Sequence, residues 1–166
     1  ALEAASAAGA GETALHNRNM SDAVGRYREA VEKDPDNPIY RYKLAVALRE
    51  SGDGAGERAQ LEKAIQLDPH MAAAQNELGF LLARAGDADG ALEHFRLAID
   101  AAPQWTEAWI NLAGELAATG HFDQARNAVN QALILDPANT EARDLSDQLA
   151  RDPAAQQSSA PNGPTP

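Results

Sequence analysis

The chain of 166 residues contains no cysteine, and its 14 lysine and arginine residues face 25 aspartates and glutamates. Without cysteine there is no disulfide framework, and redox chemistry says nothing about compartment. The net charge of −11 argues against nucleic acid or an anionic membrane as partner, since both need a basic surface. No apolar run approaches the roughly 20 residues that span a bilayer. The stretch Ala1 to Ala10 lacks the basic flank and leucine-rich centre of a signal peptide. The chain opens on Ala1 rather than methionine, which reads as a segment cut from a longer protein.

The residues of catalysis are also missing as constellations. Catalysis needs a nucleophile or acid–base group held by a partner in a cleft. His16, His70, His94 and His121 fall at four different repeat positions, and none has a second histidine, cysteine or carboxylate at metal-ligand spacing on an inward face. The pairs Asp34/Asp36 and Asp87/Asp89 fall where helix ends are expected, and negative charge there stabilises N-termini. Gly52, Gly54 and Gly56 read as turn residues, because no Lys-Ser or Lys-Thr follows them as in a phosphate-binding loop. No cofactor, metal or enzymatic activity is expected.

What the chain does have is a ruler. Pro35, Pro69, Pro103 and Pro137 lie 34 residues apart, and a fixed period of this size marks a solenoid of stacked units. Proline forces the preceding residue out of helical conformation, so a helix ends at the same point in each repeat. Within a repeat, apolar or small residues recur at helical spacing: Leu78, Leu82 and Ala85, then Ala91, Phe95 and Ala98. Gly52-Asp53, Gly86-Asp87 and Gly120-His121 separate the two helices, and glycine takes the left-handed conformation that ends the first. Small residues such as Gly79 and Ala113 let the paired helices approach closely, while Phe95 and Trp109 fill the space between pairs. Alanine, 37 of 166 residues, suits such packing and hints at a high-GC bacterial source.

The third repeat carries Leu78, Gly79, Leu82, Gly86, Ala91, Phe95, Ala98 and Pro103; the fourth carries Trp109, Leu112, Ala113, Leu116, Gly120, Ala125, Val129, Ala132 and Pro137. These resemble the W-x2-L-G-x2-Y…A-x3-F…P pattern of the tetratricopeptide repeat. The resemblance covers residues 4–139 as four repeats, 4–37, 38–71, 72–105 and 106–139. It implies an all-α fold, a right-handed superhelical solenoid of helical hairpins. Asn139-Thr140 opens a C-terminal capping helix, 140–151, with Ala142, Leu145 and Leu149 on one face. Asp152-Pro153 ends it, and the segment 152–166, rich in Gln, Ser and Pro, is expected to be disordered.

Two weak points are expected. Glu57 stands where a small alanine belongs, flanked by Gly54 and Gly56, which predicts a late or loose start to that helix. The first helix offers only Ala7, Ala10, Gly11 and Ala14 to its neighbours, which predicts light anchoring and fraying.

In tetratricopeptide arrays the first helix of each hairpin lines a concave face through positions 2, 5, 9, 12 and 13 of the repeat. The resemblance therefore assigns Ile39, Tyr42, Val46, Arg49 and Glu50 to it, then Ala73, Asn76, Phe80, Ala83 and Arg84, then Glu107, Ile110, Gly114, Ala117 and Ala118. Tyr42, Val46, Phe80 and Ile110 form a candidate apolar stripe, flanked by the donors Arg49, Asn76 and Arg84. Phe80 and Val46 can equally seal contacts between first helices, and Trp105 and Trp109 read as packing residues. Ala8, Glu12, Lys43, Ala73 and Glu77 occupy the positions at which some arrays grip a terminal carboxylate, so that clamp is absent. The reading is a non-catalytic protein–protein interaction scaffold that takes a peptide or partner helix on the concave face. The alternatives are a regulatory or substrate-presenting arm of a larger enzyme and a weakly self-associating structural module.

Overall fold

The computed structural model describes residues 1–152; the expected disordered tail, Ala154 to Pro166, lies outside the described residues. The described residues form nine helices and no strand: α1 (Leu2–His16), α2 (Met20–Lys33), α3 (Pro38–Glu50), α4 (Gly54–Leu67), α5 (Ala72–Arg84), α6 (Ala88–Ala101), α7 (Thr106–Ala118), α8 (Phe122–Leu135) and α9 (Thr140–Arg151). The even helices begin at residues 20, 54, 88 and 122, and the odd ones from α3 on at 38, 72, 106 and 140. The 34-residue period of the prolines is thus the period of the helices.

The local causes repeat with it. Asp34, Asp68, Ala102 and Asp136, each one residue before a proline, leave helical geometry with φ between −136° and −146°. Between the paired helices, Gly52, Gly86 and Gly120 take φ of +84°, +82° and +80°, a region that a Cβ penalises. The same turn in the first hairpin holds Arg18 at φ 56°, so one repeat makes the turn without glycine.

The start of α4 corrects the expectation raised by Gly54, Gly56 and Glu57. The helix begins at Gly54, in register with α2, α6 and α8. The Asp53 carboxylate caps it, accepting from the Gly56 backbone N–H at 2.9 Å. A Cβ on Gly56 would sit 2.5 Å from the Asp53 Oδ2, so the glycine makes room for the cap rather than weakening the helix. Asp87 and Gly90 repeat the arrangement in α6 at 3.1 Å. Glu57 is buried in the first turn, where helix polarity favours a carboxylate.

The chain divides within α5 into two compact units, Ala1–Leu78 and the residues from Gly79 onward. In the first, α1 packs on α2, α2 on α3 and α3 on α4, around Ala14, Ala23, Val24, Tyr27, Leu44, Ala47 and Leu48. Every buried residue of α1 is small: Ala4, Ala7, Gly11 and Ala14. In the second unit, α6 packs on α7, α7 on α8, and α9 on both α7 and α8.

Among the described residues the four largest fully buried side chains are Tyr27, Leu61, Phe95 and Val129, one position taken every 34 residues. Their sizes are matched by the helix before. A Cβ on Gly11 would lie 2.9 Å from the Tyr27 ring, and one on Gly79 2.9 Å from the Phe95 ring. At the corresponding positions Ala45 precedes Leu61 and Ala113 precedes Val129. Glycine goes with the aromatic and alanine with the smaller aliphatic, which keeps each hairpin close-packed at near-constant volume.

Candidate partner-binding face

A second feature of the period was not legible as a motif. Arg41 Nε donates to the Pro35 carbonyl at 2.9 Å, Gln75 Nε2 to the Pro69 carbonyl at 2.8 Å, and Trp109 Nε1 to the Pro103 carbonyl at 3.0 Å. Three unlike side chains at one repeat position supply the same N–H to the turn that leads into the odd helix. Each gives a partner to one turn carbonyl, and together they tie α3, α5 and α7 to the turns that precede them. Trp109 is therefore held by packing and by a hydrogen bond, as its core position suggested. The only signal was donor chemistry six residues after each proline.

On α3 the candidate residues are tied down. Tyr42 and Val46 are partly buried. Arg49 pairs with Glu77 of α5 and lies 3.4 Å from the Glu50 carboxylate. Burial works against its charge, but the Glu77 and Glu50 carboxylates together outweigh it and raise the guanidinium's already high pKa. Burial, helped by Glu77, also pushes the Tyr42 phenol upward. Lys43 bridges to Glu12 of α1 at 2.6 Å. Two ion pairs therefore link successive odd helices in the first unit. Ile39, at the start of α3, stays 54% exposed.

Asn76 departs from its expected role. It is only 8% exposed and sits in the packed part of α5, where a side chain offers little to a partner. Arg84, at the end of α5, is exposed.

In the second unit Phe80 is 48% exposed on α5. It opens onto a cavity of about 570 Å³ bounded by α5, α7 and α9, with Phe95 of α6 reaching into its lining. Phe80, Ala83, Phe95, Ile110, Gly114 and Leu145 make its apolar lining; Asn111, Glu115, Thr140, Glu141, Asp144 and Gln148 its polar one. The expected exposed stripe is corrected at Ile110, which is only 4% exposed because it packs with Ala132 of α8 and Ala142 of α9. It serves as floor rather than as a projecting contact. A Cβ on Gly114 would meet nothing within 4 Å, so this glycine leaves open space beside Ile110.

The lining residues of α9 were missed because that helix was read only as a cap. The period itself held the signal: Glu141, Asp144 and Gln148 stand 34 residues after Glu107, Ile110 and Gly114. Among the described residues, no group of three histidines, aspartates or glutamates is gathered closely enough to hold a metal ion. No helix among them is long and apolar enough to cross a membrane.

This is a fold of helical hairpins repeated in a 34-residue register. One tetratricopeptide repeat family model matches residues 8–71 and 58–104, and a second matches residues 82–149. The chain belongs to the tetratricopeptide repeat family. Solved structures of similar fold include MamA 41-end from Desulfovibrio magneticus RS-1, 18% identical over 93% of this chain and 90% of that one, with a TM-score of 0.79. The Pseudomonas aeruginosa PilF structure is 20% identical over 93% of this chain and 72% of its own, with a TM-score of 0.78. YrrB, described as a tetratricopeptide protein with an unusual peptide-binding site, is 21% identical over 87% of this chain and 74% of its own, at 0.75. At these identities the likeness concerns the fold. No curated protein matches the sequence.

Proposed function

We propose that the chain is a non-catalytic interaction scaffold whose odd helices dock a peptide or a partner helix, chiefly at the cavity of the second unit. The observation that carries this reading is the half-exposed Phe80 over an open, largely apolar lining completed by Ile110, Gly114 and Leu145. A hairpin array has no need of an exposed phenylalanine beside empty space, and burying such a ring on a partner favours association. A volume of 570 Å³ falls in the range of about 300–1,000 Å³ typical of ligand sites. The reading is in line with YrrB, a relative in fold that is itself described as peptide-binding. Tyr42, Val46 and Arg49 of α3 offer a secondary surface, and Arg84, exposed at the end of α5, a further donor.

The test compares partner capture by the wild-type chain with capture by Phe80→Ala and by Tyr42→Ala, with circular dichroism showing that all three fold. A partner lost with Phe80→Ala supports docking at the cavity. A partner held equally by all three moves the interface elsewhere and overturns the reading.

A further inference from the structure

We infer that the segment docking at this cavity is cationic: one large apolar side chain seats on the Phe80–Ile110–Leu145 lining, with lysine or arginine beside it. This rests on the docking reading above and adds the chemistry of the partner.

The argument is one of unanswered charge. Glu115 of α7 and Glu141 and Asp144 of α9 all line the cavity, and no lysine or arginine does. None of the three carboxylates takes part in an ion pair among the described residues. This contrasts with Glu12 and Glu77 on the odd helices of the first unit, each of which holds a basic partner. The wider field has the same sign. Residues 79–152 contain twelve carboxylates, five arginines and no lysine. Three like charges around an apolar floor repel one another, and the floor lowers the local dielectric, which strengthens both that repulsion and any attraction to an incoming cation. A cationic segment with an apolar anchor satisfies both parts of the lining at once.

Two other occupants fit poorly. The chain's own residues 153–166 contain no lysine, no arginine and no aromatic or large aliphatic residue, so they supply neither anchor nor charge. A second copy would bring another strongly acidic surface against this one.

The experiment is selection of a display library of random dodecapeptides on the wild-type chain and, in parallel, on Gly114→Trp. The tryptophan fills the cavity from a position where a Cβ meets nothing, and thermal melts check that it folds; Phe80→Ala serves as the second cavity variant. Peptides retained by the wild type and lost on both variants should be enriched in lysine or arginine within a few residues of an aromatic or large aliphatic anchor. A synthetic peptide of that set should lose about tenfold in affinity on Glu115→Gln/Glu141→Gln/Asp144→Asn, and weaken as salt rises from about 50 to about 300 mM. Cavity-dependent peptides that are neutral or acidic would overturn the cationic partner and leave docking at the cavity standing. If no retained peptide is sensitive to either cavity variant, the docking reading falls, and this inference falls with it.

Discussion

The first helices of the hairpins differ between the two units at matched positions, and the difference shows how one scaffold is closed in one place and left open in another. In the first unit, Glu12 of α1 pairs with Lys43 of α3, and Arg49 of α3 pairs with Glu77 of α5. Sixty-eight residues after Glu12 stands Phe80; 34 residues after Glu77 stands Asn111, and 34 after Arg49 stands Ala83. All three of these replacements line the cavity of the second unit. Exchanging charged side chains that reach across for a small residue, an amide and an aromatic ring removes the bridges and leaves space over an apolar floor. The backbone period is unchanged. Side-chain choice alone can thus leave a repeat open, without altering helix starts or turns.

The packing shared by the two units sets the largest expected effect. Phe95, 2% exposed under Gly79, should cost about 3–5 kcal/mol when truncated to alanine. Chemical denaturation measures this. Gly79→Ala, whose Cβ would press on the Phe95 ring at 2.9 Å and on the Ala91 carbonyl oxygen at 3.2 Å, should cost about 1–3 kcal/mol. Adding Phe95→Leu should recover part of that loss, because the pair then matches Ala45 and Leu61. A double-mutant cycle showing no coupling would break the size-matching argument.

The contrast between the faces is tested by transplanting the bridge. Ala83→Arg with Asn111→Glu recreates the Arg49–Glu77 positions in the second unit. It should lower affinity for any cavity-bound peptide by about tenfold, at a cost or gain in stability below about 1 kcal/mol, as expected for a partly exposed ion pair. Unchanged binding by titration calorimetry would mean that the bridge does not close the face.

Tyr27 and Phe95 occupy the same repeat position but differ by a hydroxyl. The Tyr27 hydroxyl is buried and makes no hydrogen bond of full geometry, though the Glu12 carboxylate lies close enough to act on it as charge and as acceptor. Burial first, and the Glu12 carboxylate second, push its pKa well above the ordinary 10.0. Folding thus favours the protonated phenol. That contribution is complete below pH 10 and is lost as pH rises from there toward the elevated folded value. Tyr27→Phe should therefore be neutral or stabilising by about 1 kcal/mol near neutrality. It should also flatten the loss of melting temperature above pH 10. A steeper alkaline loss in the variant would refute the assignment.

The smallest effect concerns the first turn, the one that lacks glycine. Arg18→Gly should stabilise by up to about 1 kcal/mol by removing a left-handed non-glycine residue. Gly86→Ala should destabilise by a similar amount in the same melts.

Much of the fold was legible because its signals are local and recur. The prolines mark where helices end, and the glycines before Asp53, Asp87 and His121 mark the turns. The misreading at Gly54 and Gly56 had a local cause too: helix propensity was counted without the Asp53 cap that needs a glycine three residues on. The candidate face was legible only in part. Phe80 stood out as an apolar residue at a position not required for hairpin packing, and it is half exposed. Ile110 had the same credentials, yet α9 lies over it through Ala142. Asn76 was read as a free donor and is packed instead. Arg49 was read as a flanking donor and is engaged by Glu77, a partner 28 residues away.

The sequence by itself therefore determined the all-α hairpin repeat and its 34-residue register. Each follows from backbone restrictions of proline and glycine or from contacts within a few turns of one helix. Only the tertiary structure decided which first-helix side chains remain exposed. That depends on whether the side chain one hairpin away is long and oppositely charged, as Glu77 is to Arg49, or small, as Ala83 and Gly114 are. Such a contact joins residues about a repeat apart, where periodicity fixes the position of each side chain but not whether the neighbouring hairpin covers it.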